Sequence, residues 1–316
     1  MALELNERAA ALCDQLPALA EKLQIATDLK IGGARVFDLG INVPGSLDAG
    51  LMLARICLAD LADVELFRGH NSPLPGQALH VATRHPVEAC LASQYAGWQL
   101  SAGKFFALGS GPMRAAAGRE ALFKKIGATE RAKRVVGVLE TRQFPPVEIV
   151  EQIAQACEVS PENVTLLVAP TASLAGGVQI VARSIETGLH KLVELGFDVR
   201  QVSAAIGTAP IPPVAGDDMV SIGRTNDAIL YGGSVQFFVD VDPQQLTAIA
   251  PQVPSCASRD YGVRFAQIFQ RYNHDFYAID PLLFSPAEVM FENHRNGESS
   301  HFGKLAFDVV LDSFNN

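Results

Sequence analysis

Apolar and polar positions along the chain form two kinds of pattern, one typical of strands and one typical of helices, and segments of the two kinds alternate. Short β-branched runs between turn residues, such as RVVGVLE (134–140), are typical of buried strands, whereas apolar residues repeated every three or four positions are typical of helices. The predicted strands cover 34–43, 62–67, 77–83, 104–112, 134–140, the end of 160–170, 199–207, 234–241 and 287–294. The predicted helices cover 4–23, with a kink or break at Pro17, and 47–59, 85–98, 145–159 and the region around 259–272.

The order of these elements predicts a two-domain protein of mixed α/β or α+β class. No GxGxxG motif joins a first strand to a helix, and the strand–helix period is irregular, so a Rossmann dinucleotide domain is not expected. The polar, glycine-containing segment 115–135 is the candidate border, which gives an N-terminal domain over 1–128 and a C-terminal domain over 129–316, with domains that are discontinuous in sequence as the alternative. Segment 208–233 is rich in glycine, proline and aspartate and is predicted to be a long functional loop with one short helix.

Composition narrows the class of protein. With 48% hydrophobic and 19% charged residues the chain is expected to be soluble and globular. It has no long apolar run that predicts a membrane span, and its first residues lack the features of a secretory signal, so a cytoplasmic location is expected. The net charge of −9, without a basic cluster, argues against a nucleic-acid partner.

Cysteine and histidine spacing gives no sign of a metal site. The five cysteines are spread singly along the chain, and the seven histidines are equally scattered. Neither a paired-cysteine clip nor an HExxH motif is present, so free thiols and chemistry without a protein-bound metal are expected.

The segment APTASLAGGVQIVARSIETGLHKL (169–192) carries the most distinctive polar pattern. Read as one helix, it places Gln179, Arg183, Glu186 and His190 at spacings i, i+4, i+7 and i+11, on one face beside an apolar stripe. One interpretation is a solvent-exposed Arg183–Glu186 pair, worth a few tenths of a kcal/mol. The other is a row of catalytic groups at the margin of a cleft.

Two small-residue turns follow predicted strands and are candidate binding loops. The first contains Thr171, Ser173 and Gly176, precedes the polar helix, and lacks the GK[ST] ending of a nucleotide-binding P-loop. The second, GSGPMR, contains Gly109, Ser110, Gly111 and Arg114. For it, a tight turn with an exposed arginine and anion recognition by backbone amides remain alternatives.

Several contiguous blocks together resemble the methenyltetrahydromethanopterin cyclohydrolase family. They are INVPG (41–45), ASQYAGW (92–98), FFALGSGPMRA (105–115), VAPTASLAGGVQIVARSIETGLHKL (168–192), GTAPIPP (207–213) and NDAILYGG (226–233). The resemblance implies reversible hydrolysis of N5,N10-methenyl-tetrahydromethanopterin to the N5-formyl compound, in methanogenesis or in formaldehyde oxidation. It also implies a cytoplasmic homo-oligomer, notably a trimer, with no metal or prosthetic group, and a two-domain α/β subunit that binds the pterin in an interdomain cleft.

The family's catalytic arginine and glutamate match Arg183 and Glu186 in this sequence. The resemblance therefore favours catalysis, with Glu186 moving the protons of water and Arg183 favouring its charged form. Gln179 and His190 are expected to orient the substrate, and the loops at Thr171–Ser173 and Gly109–Gly111 to hold the pterin. Another pterin-dependent one-carbon transferase and a non-catalytic pterin-binding protein are the alternative functions.

Overall fold

A computed structural model describes residues 3–68, 74 and 76–316 of the chain. It contains two compact units. Unit 1 comprises the chain up to Ala62 together with Glu88–Gln179, and unit 2 comprises Asp63–Val87 and Ile180–Asn316. The two-domain mixed α/β class is confirmed. The units are discontinuous in sequence, and the segment 115–135 lies inside unit 1.

Strands and helices alternate through both units. The strands are β1 (Ala26–Ile31), β2 (Ala34–Asp38), β3 (Ala62–Phe67), β4 (Ala78–Thr83), β5 (Trp98–Ala102), β6 (Phe105–Ser110), β7 (Val135–Glu140), β8 (Val164–Ala169), β9 (Val202–Pro210), β10 (Ser234–Val239), β11 (Glu288–Asn293) and β12 (Glu298–Gly303). The α-helices are α1 (Leu5–Cys13), α2 (Leu16–Leu23), α3 (Leu47–Cys57), α4 (Met113–Ala117), α5 (Ala121–Ile126), α6 (Val147–Ala156), α7 (Leu174–Val181), α8 (Ser184–Glu194), α9 (Asp218–Leu230), α10 (Pro243–Ile249), α11 (Phe265–Arg271) and α12 (Phe307–Asn315). A π-helix covers Val87–Gln94, and short 3₁₀ turns connect several elements.

Unit 1 is built on a six-stranded sheet, here sheet A, in the order β1-β2-β8-β7-β6-β5. Its central strands β2, β8 and β7 run parallel, and the flanking strands are antiparallel. One face packs against α1, α2 and α3, with Phe37 and Leu53 in that core. The other face packs against α4 and α6, with Ile149 and Leu139 in the second core. The β-branched runs of β7 and β8 are therefore buried on both faces, as their sequences predict.

Unit 2 contains a second six-stranded sheet, sheet B, in the order β12-β11-β10-β9-β4-β3. All neighbouring pairs described in detail are antiparallel except β10 and β11. Along β10 and β11 buried residues alternate with half-buried ones, so one face of the sheet carries the core. Helix α8 packs on β9 and β10 of this sheet.

Outside the segment 169–192, two predicted elements are of a different kind in the structure. Segment 208–233 is not a long loop, because it contains the end of β9 and the thirteen-residue helix α9, capped by Asp217, whose carboxylate accepts the Val220 N–H at 2.9 Å. The buried positions of α9 include small and polar residues such as Gly223 and Thr225, so no strong apolar period marks it. The predicted helix 85–98 is instead the π-helix, after which Trp98 begins β5.

Side chains of α9 and of Tyr231, which follows it, form hydrogen bonds with the backbone of the chain that leads into α11. The buried carboxylate of Asp227 accepts the Phe265 N–H at 2.8 Å. Tyr231 donates its hydroxyl to the Val263 carbonyl at 2.6 Å and accepts from the Gly262 N–H at 3.1 Å. Burial raises the pKa of Asp227 to about 7. No helix within the described ranges is long and apolar enough to cross a membrane.

The raised pKa of Asp227 predicts a pH-dependent free energy of unfolding. The folded chain holds the Asp227 proton up to about pH 7, whereas the unfolded chain releases it near its ordinary value of 3.8. The contribution of Asp227 to the free energy of unfolding is therefore complete below about pH 4. Between about pH 4 and pH 7 it falls by up to ~1.4 kcal/mol per pH unit. Asp227→Asn should remove this slope, while Asp63→Asn, at an exposed position of β3, should keep it. Unfolding curves at several pH values between 4 and 8 measure the difference, and equal slopes in wild type and Asp227→Asn would contradict it.

Candidate functional site

The segment 169–192 forms two helices, which corrects the prediction of a single one. Helix α7 ends at Val181 and α8 begins at Ser184, so Ala182 and Arg183 lie between them. The Arg183 N–H bonds to the Ile180 carbonyl at 3.0 Å, a tight turn, and the Arg183 carbonyl accepts the Thr187 N–H at 2.9 Å as α8 begins. The predicted four-residue stripe therefore does not follow one helix face.

Both residues of the predicted catalytic pair are nevertheless buried. The side chain of Glu186 lies in the first turn of α8, and the residue is 4% exposed. Arg183 directly precedes that helix and is 7% exposed. The interpretation of these residues as a solvent-exposed pair is therefore wrong. A carboxylate in the first turn of a helix is stabilised by the partial positive charge of the helix N-terminus.

Helix α8 lies directly against sheet B because two glycines leave room for it. A methyl group on Gly207 of β9 would lie 2.5 Å from Ser184 Oγ and 2.7 Å from Ile185 Cγ1. A methyl group on Gly188 of α8 would lie 2.9 Å from the Phe237 ring. These approaches fix the rotation of α8 about its axis and hence the direction in which Glu186 leaves the helix.

A buried lysine ties α8 to two loops of unit 2. The fully buried Lys191 donates its ammonium to the Pro254 carbonyl at 2.9 Å and to the Leu282 carbonyl. Burial lowers the pKa of Lys191 to about 8, against the opposing influence of Asp280 and Cys256. No local pattern could mark this residue, because its two acceptors are backbone groups far along the chain.

Replacing Lys191 should destabilise the protein in a characteristic way. Lys191→Met leaves the buried Pro254 carbonyl and the part-buried Leu282 carbonyl without their donor, so the free energy of unfolding at pH 7 should fall by about 2–4 kcal/mol. The exposed control Lys304→Met should change it by about 0.5 kcal/mol or less. The folded wild type loses the Lys191 proton near pH 8 and the unfolded chain near 10.5, so wild-type stability should rise relative to Lys191→Met between these values. Denaturant titrations across this range check both effects, and an unchanged stability in Lys191→Met would contradict them.

The first small-residue loop caps α7. Ser173 Oγ accepts the Gly176 N–H at 3.0 Å and donates to the Pro170 carbonyl at 2.8 Å. Gly176 is required here, because a side chain would overlap the Pro170 carbonyl oxygen. Thr171 is partly exposed beside these residues. Ser173 and Gly176 of this loop are thus closely packed, whereas Thr171 is accessible to solvent.

Gln179 of α7 contacts a carboxylate that the sequence pattern did not single out. The Gln179 side chain, 1% exposed, donates Nε2 to Glu140 Oε1 at 3.3 Å. Glu140 is the last residue of β7 and is half-buried. A single polar residue at the end of an apolar strand was the only signal available for it. His190, the last member of the predicted stripe, is partly exposed on α8.

The second small-residue turn lies in the interior of unit 1. Gly109, Ser110 and Gly111 are all buried. Ser110 Oγ lies 3.4 Å from both the Val138 carbonyl, to which it donates, and Cys57 Sγ. Gly111 has a φ of +90° and donates its N–H to the Ser93 carbonyl at 2.8 Å, so glycine is needed there. These contacts fix the chain at the end of the π-helix.

Arg114 is fully buried, so the alternative of an exposed arginine after this turn is wrong. Its guanidinium binds both oxygens of Glu120, at 2.8 and 2.5 Å. It also donates to the Leu91 carbonyl at 2.9 Å and packs over the Tyr95 ring. A contact of Gly109, Ser110, Gly111 or Arg114 with a ligand stays a prediction. In the described part of the chain, no three or more histidine, cysteine or acidic side chains come together as a metal site.

Comparison with known proteins shows which family this chain resembles over nearly its whole length. A family model described as Cyclohydrolase (MCH) matches residues 4–314. The chain is 45% identical over 291 residues to the methenyltetrahydromethanopterin cyclohydrolase of Rhodopirellula baltica, covering 90% of this chain and 87% of that relative. It is 44% identical to the protein of the same name from Methylobacillus flagellatus, covering 98% and 94%. For that of Methanococcoides burtonii the identity is 39%, with 99% and 98% covered. The similarity therefore extends over nearly the whole chain, including Arg114, Glu140 and the α7–α8 junction.

Proposed function

Since the chain belongs to the Cyclohydrolase (MCH) family, we propose that it hydrolyses the cyclic amidinium of N5,N10-methenyl-tetrahydromethanopterin to N5-formyl-tetrahydromethanopterin, and catalyses the reverse reaction. The names of relatives that are 39–45% identical over most of both chains support this substrate. The single structural observation that carries the proposal is the burial of Glu186. It lies in the first turn of α8, a helix that begins directly after Arg183.

The chemistry requires little beyond a positioned water and a base. The methenyl carbon lies between two nitrogens that share a positive charge, so it is electrophilic. The oxygen of water bonds to this carbon as a base takes one proton. The bond from carbon to N10 then breaks, N10 receives a proton, and one proton is released to solvent. Substrate cation and water thus give the neutral formyl compound and a proton.

We assign the proton transfers to Glu186. A carboxylate suits the task, because in its charged form it attracts the cationic substrate and can both accept and return a proton. We assign Arg183 two roles. Its positive charge favours the ionised form of Glu186, and its guanidinium donates a hydrogen bond to the water or to the substrate. The position of Glu186 at the positive end of α8 supports the same charge state.

The remaining predicted residues are assigned to binding and orientation. Gln179 and His190 orient the substrate, and Thr171, Ser173 and Gly176 form the loop beside it. Gly109, Ser110, Gly111 and Arg114 are assigned to holding the pterin. Gly111 and Arg114 also bind the carbonyls of Ser93 and Leu91, which fixes the position of this part of the chain. We further propose that the reaction needs no metal or other cofactor.

The family resemblance supports the wider setting. We propose a cytoplasmic homo-oligomer, with a trimer favoured, that acts in one-carbon metabolism of the kind used in methanogenesis or in formaldehyde oxidation. No nucleic acid or membrane is expected as a partner.

Glu186→Gln tests the assignment of the base. Removing a positioned acid–base group should lower kcat by about 100- to 10,000-fold while the substrate still binds, because the amide keeps the shape but cannot take a proton. Loss of the methenyl absorbance measures turnover, with water as the only co-substrate. Glu194→Gln, on the exposed end of the same helix, is the control and should turn over normally.

The alternatives give different outcomes in this assay. Near-normal hydrolysis by Glu186→Gln would overturn the role of Glu186. A wild type that consumes the methenyl compound only with an added acceptor would identify a transferase. Tight binding without turnover in wild type would identify a non-catalytic pterin-binding protein.

A further inference from the structure

In the proposed mechanism, each turnover leaves one proton on Glu186. Water gives up a first proton when its oxygen bonds to the methenyl carbon, and the hydroxyl group of the adduct gives up a second when the formyl carbonyl forms. N10 takes one of these two protons, so the other remains on the Glu186 carboxyl group. Because Glu186 is only 4% exposed, this proton needs a route from the buried carboxyl group to solvent before the next turnover.

One face of α8 changes from buried to exposed along its length. Glu186, His190 and Glu194 follow one another at intervals of four residues, so their side chains lie one above another on that face. Glu186 is buried, His190 is half-buried and Glu194 is exposed. Most of the other residues of the helix are buried, among them Lys191. The face that begins at the candidate base therefore leads to solvent.

The spacing and order of Glu186 and His190 suit the transfer of a proton between them. Side chains four residues apart on a helix have Cβ atoms about 5–6 Å apart, so a carboxyl group and an imidazole ring can meet directly or through one water. The transfer leaves a carboxylate in the first turn of α8, where the helix N-terminus stabilises it, and an imidazolium one turn later. An anion that precedes a cation by four residues is the more favourable order of such a pair.

We propose that His190 relays the released proton from Glu186 to solvent, and carries it inward in the reverse reaction. The O–H bond of the protonated Glu186 carboxyl group breaks as an N–H bond forms on the imidazole ring. The imidazolium then gives a proton to water or to a buffer base. Imidazole suits this step because its charge changes readily near neutral pH. The inference rests on the proposed function and adds the step that restores the base.

His190→Gln separates the relay from the chemical steps. The amide is a polar side chain of similar length, but it takes no proton near neutral pH. Rapid mixing with excess methenyl substrate in dilute buffer should therefore show one equivalent consumed per active site at about the wild-type rate, followed by turnover at least ~10-fold slower. His294→Gln, at an exposed position after β11, is the matched control and should behave as wild type.

A small base in solution gives a second readout. Imidazole should raise the slow phase of His190→Gln toward the wild-type rate as its concentration increases, because it takes the proton that His190 would take. Pyrazole has a ring of the same size but is a much weaker base, so it should restore little. Wild type, which has its own relay, should respond to neither compound. The same pair of compounds tests His190→Ala if His190→Gln does not fold.

Three results would overturn the relay and leave the proposed hydrolysis standing. The first is an initial turnover of His190→Gln slowed as much as the later ones, because His190 would then act in the chemical steps or only orient the substrate. The second is a wild-type steady-state rate in that variant. The third is equal rescue by pyrazole, which would indicate a role for the shape of the ring alone. If wild type does not hydrolyse the methenyl compound, the proposed function and the relay are both wrong.

Discussion

The close approach of α8 to sheet B is the constraint on which the candidate catalytic pair depends. Gly207 of β9 and Gly188 of α8 bring helix and sheet together at backbone distance. At that distance the helix cannot rotate without overlap, so the direction of Glu186 is fixed by packing. Lys191 reinforces this arrangement from the same helix by holding the carbonyls of Pro254 and Leu282. A reacting group on a rigid helix is placed more accurately than one on a loop.

In unit 1, buried polar side chains fix the positions of loops by hydrogen bonds. A buried guanidinium is stable only when charge and hydrogen-bonding partners compensate its lost hydration. Arg114 has both, through Glu120 and the carbonyls near the end of the π-helix. Asp38 organises the loop after β2 in the same manner, by binding three successive backbone N–H groups. Arg114, a ligand-binding candidate in the sequence, thus also fixes the chain around it, as Asp38 fixes the loop after β2.

Much of the fold could be predicted from local pattern. The β-branched runs of β7 and β8 and the amphipathic α6 are specified by residues close together in sequence, and so is the break near Pro17 between α1 and α2. Arg183 and Glu186 were candidates because their spacing and the family blocks both pointed to them. Their burial is found in the structure, and their catalytic role stays a prediction.

The remainder depends on contacts between distant residues. Neither glycine nor proline marks the break at Ala182 and Arg183, and the packing of α8 on Gly207 involves a strand that comes later in the chain. The discontinuous units cannot be read from composition either, since β4 joins unit 2 by pairing with β9 far along the chain. The burial of Arg114 was missed because arginine is usually exposed. Glu140 was missed because its partner Gln179 is distant in sequence.

The most direct test of the central claim is kcat of Gly207→Ala for hydrolysis of the methenyl substrate, measured on folded protein and compared with Gly216→Ala. No atom lies within 4 Å of a methyl group at Gly216, so that control should retain wild-type turnover. At Gly207 the methyl group must push α8 away from β9, and a displacement of about 1 Å at a reacting group can lower the rate about 100-fold. A loss of this size with substrate binding retained is the predicted result. Wild-type turnover in folded Gly207→Ala would show that the seating of α8 on the sheet does not set the position of the catalytic group.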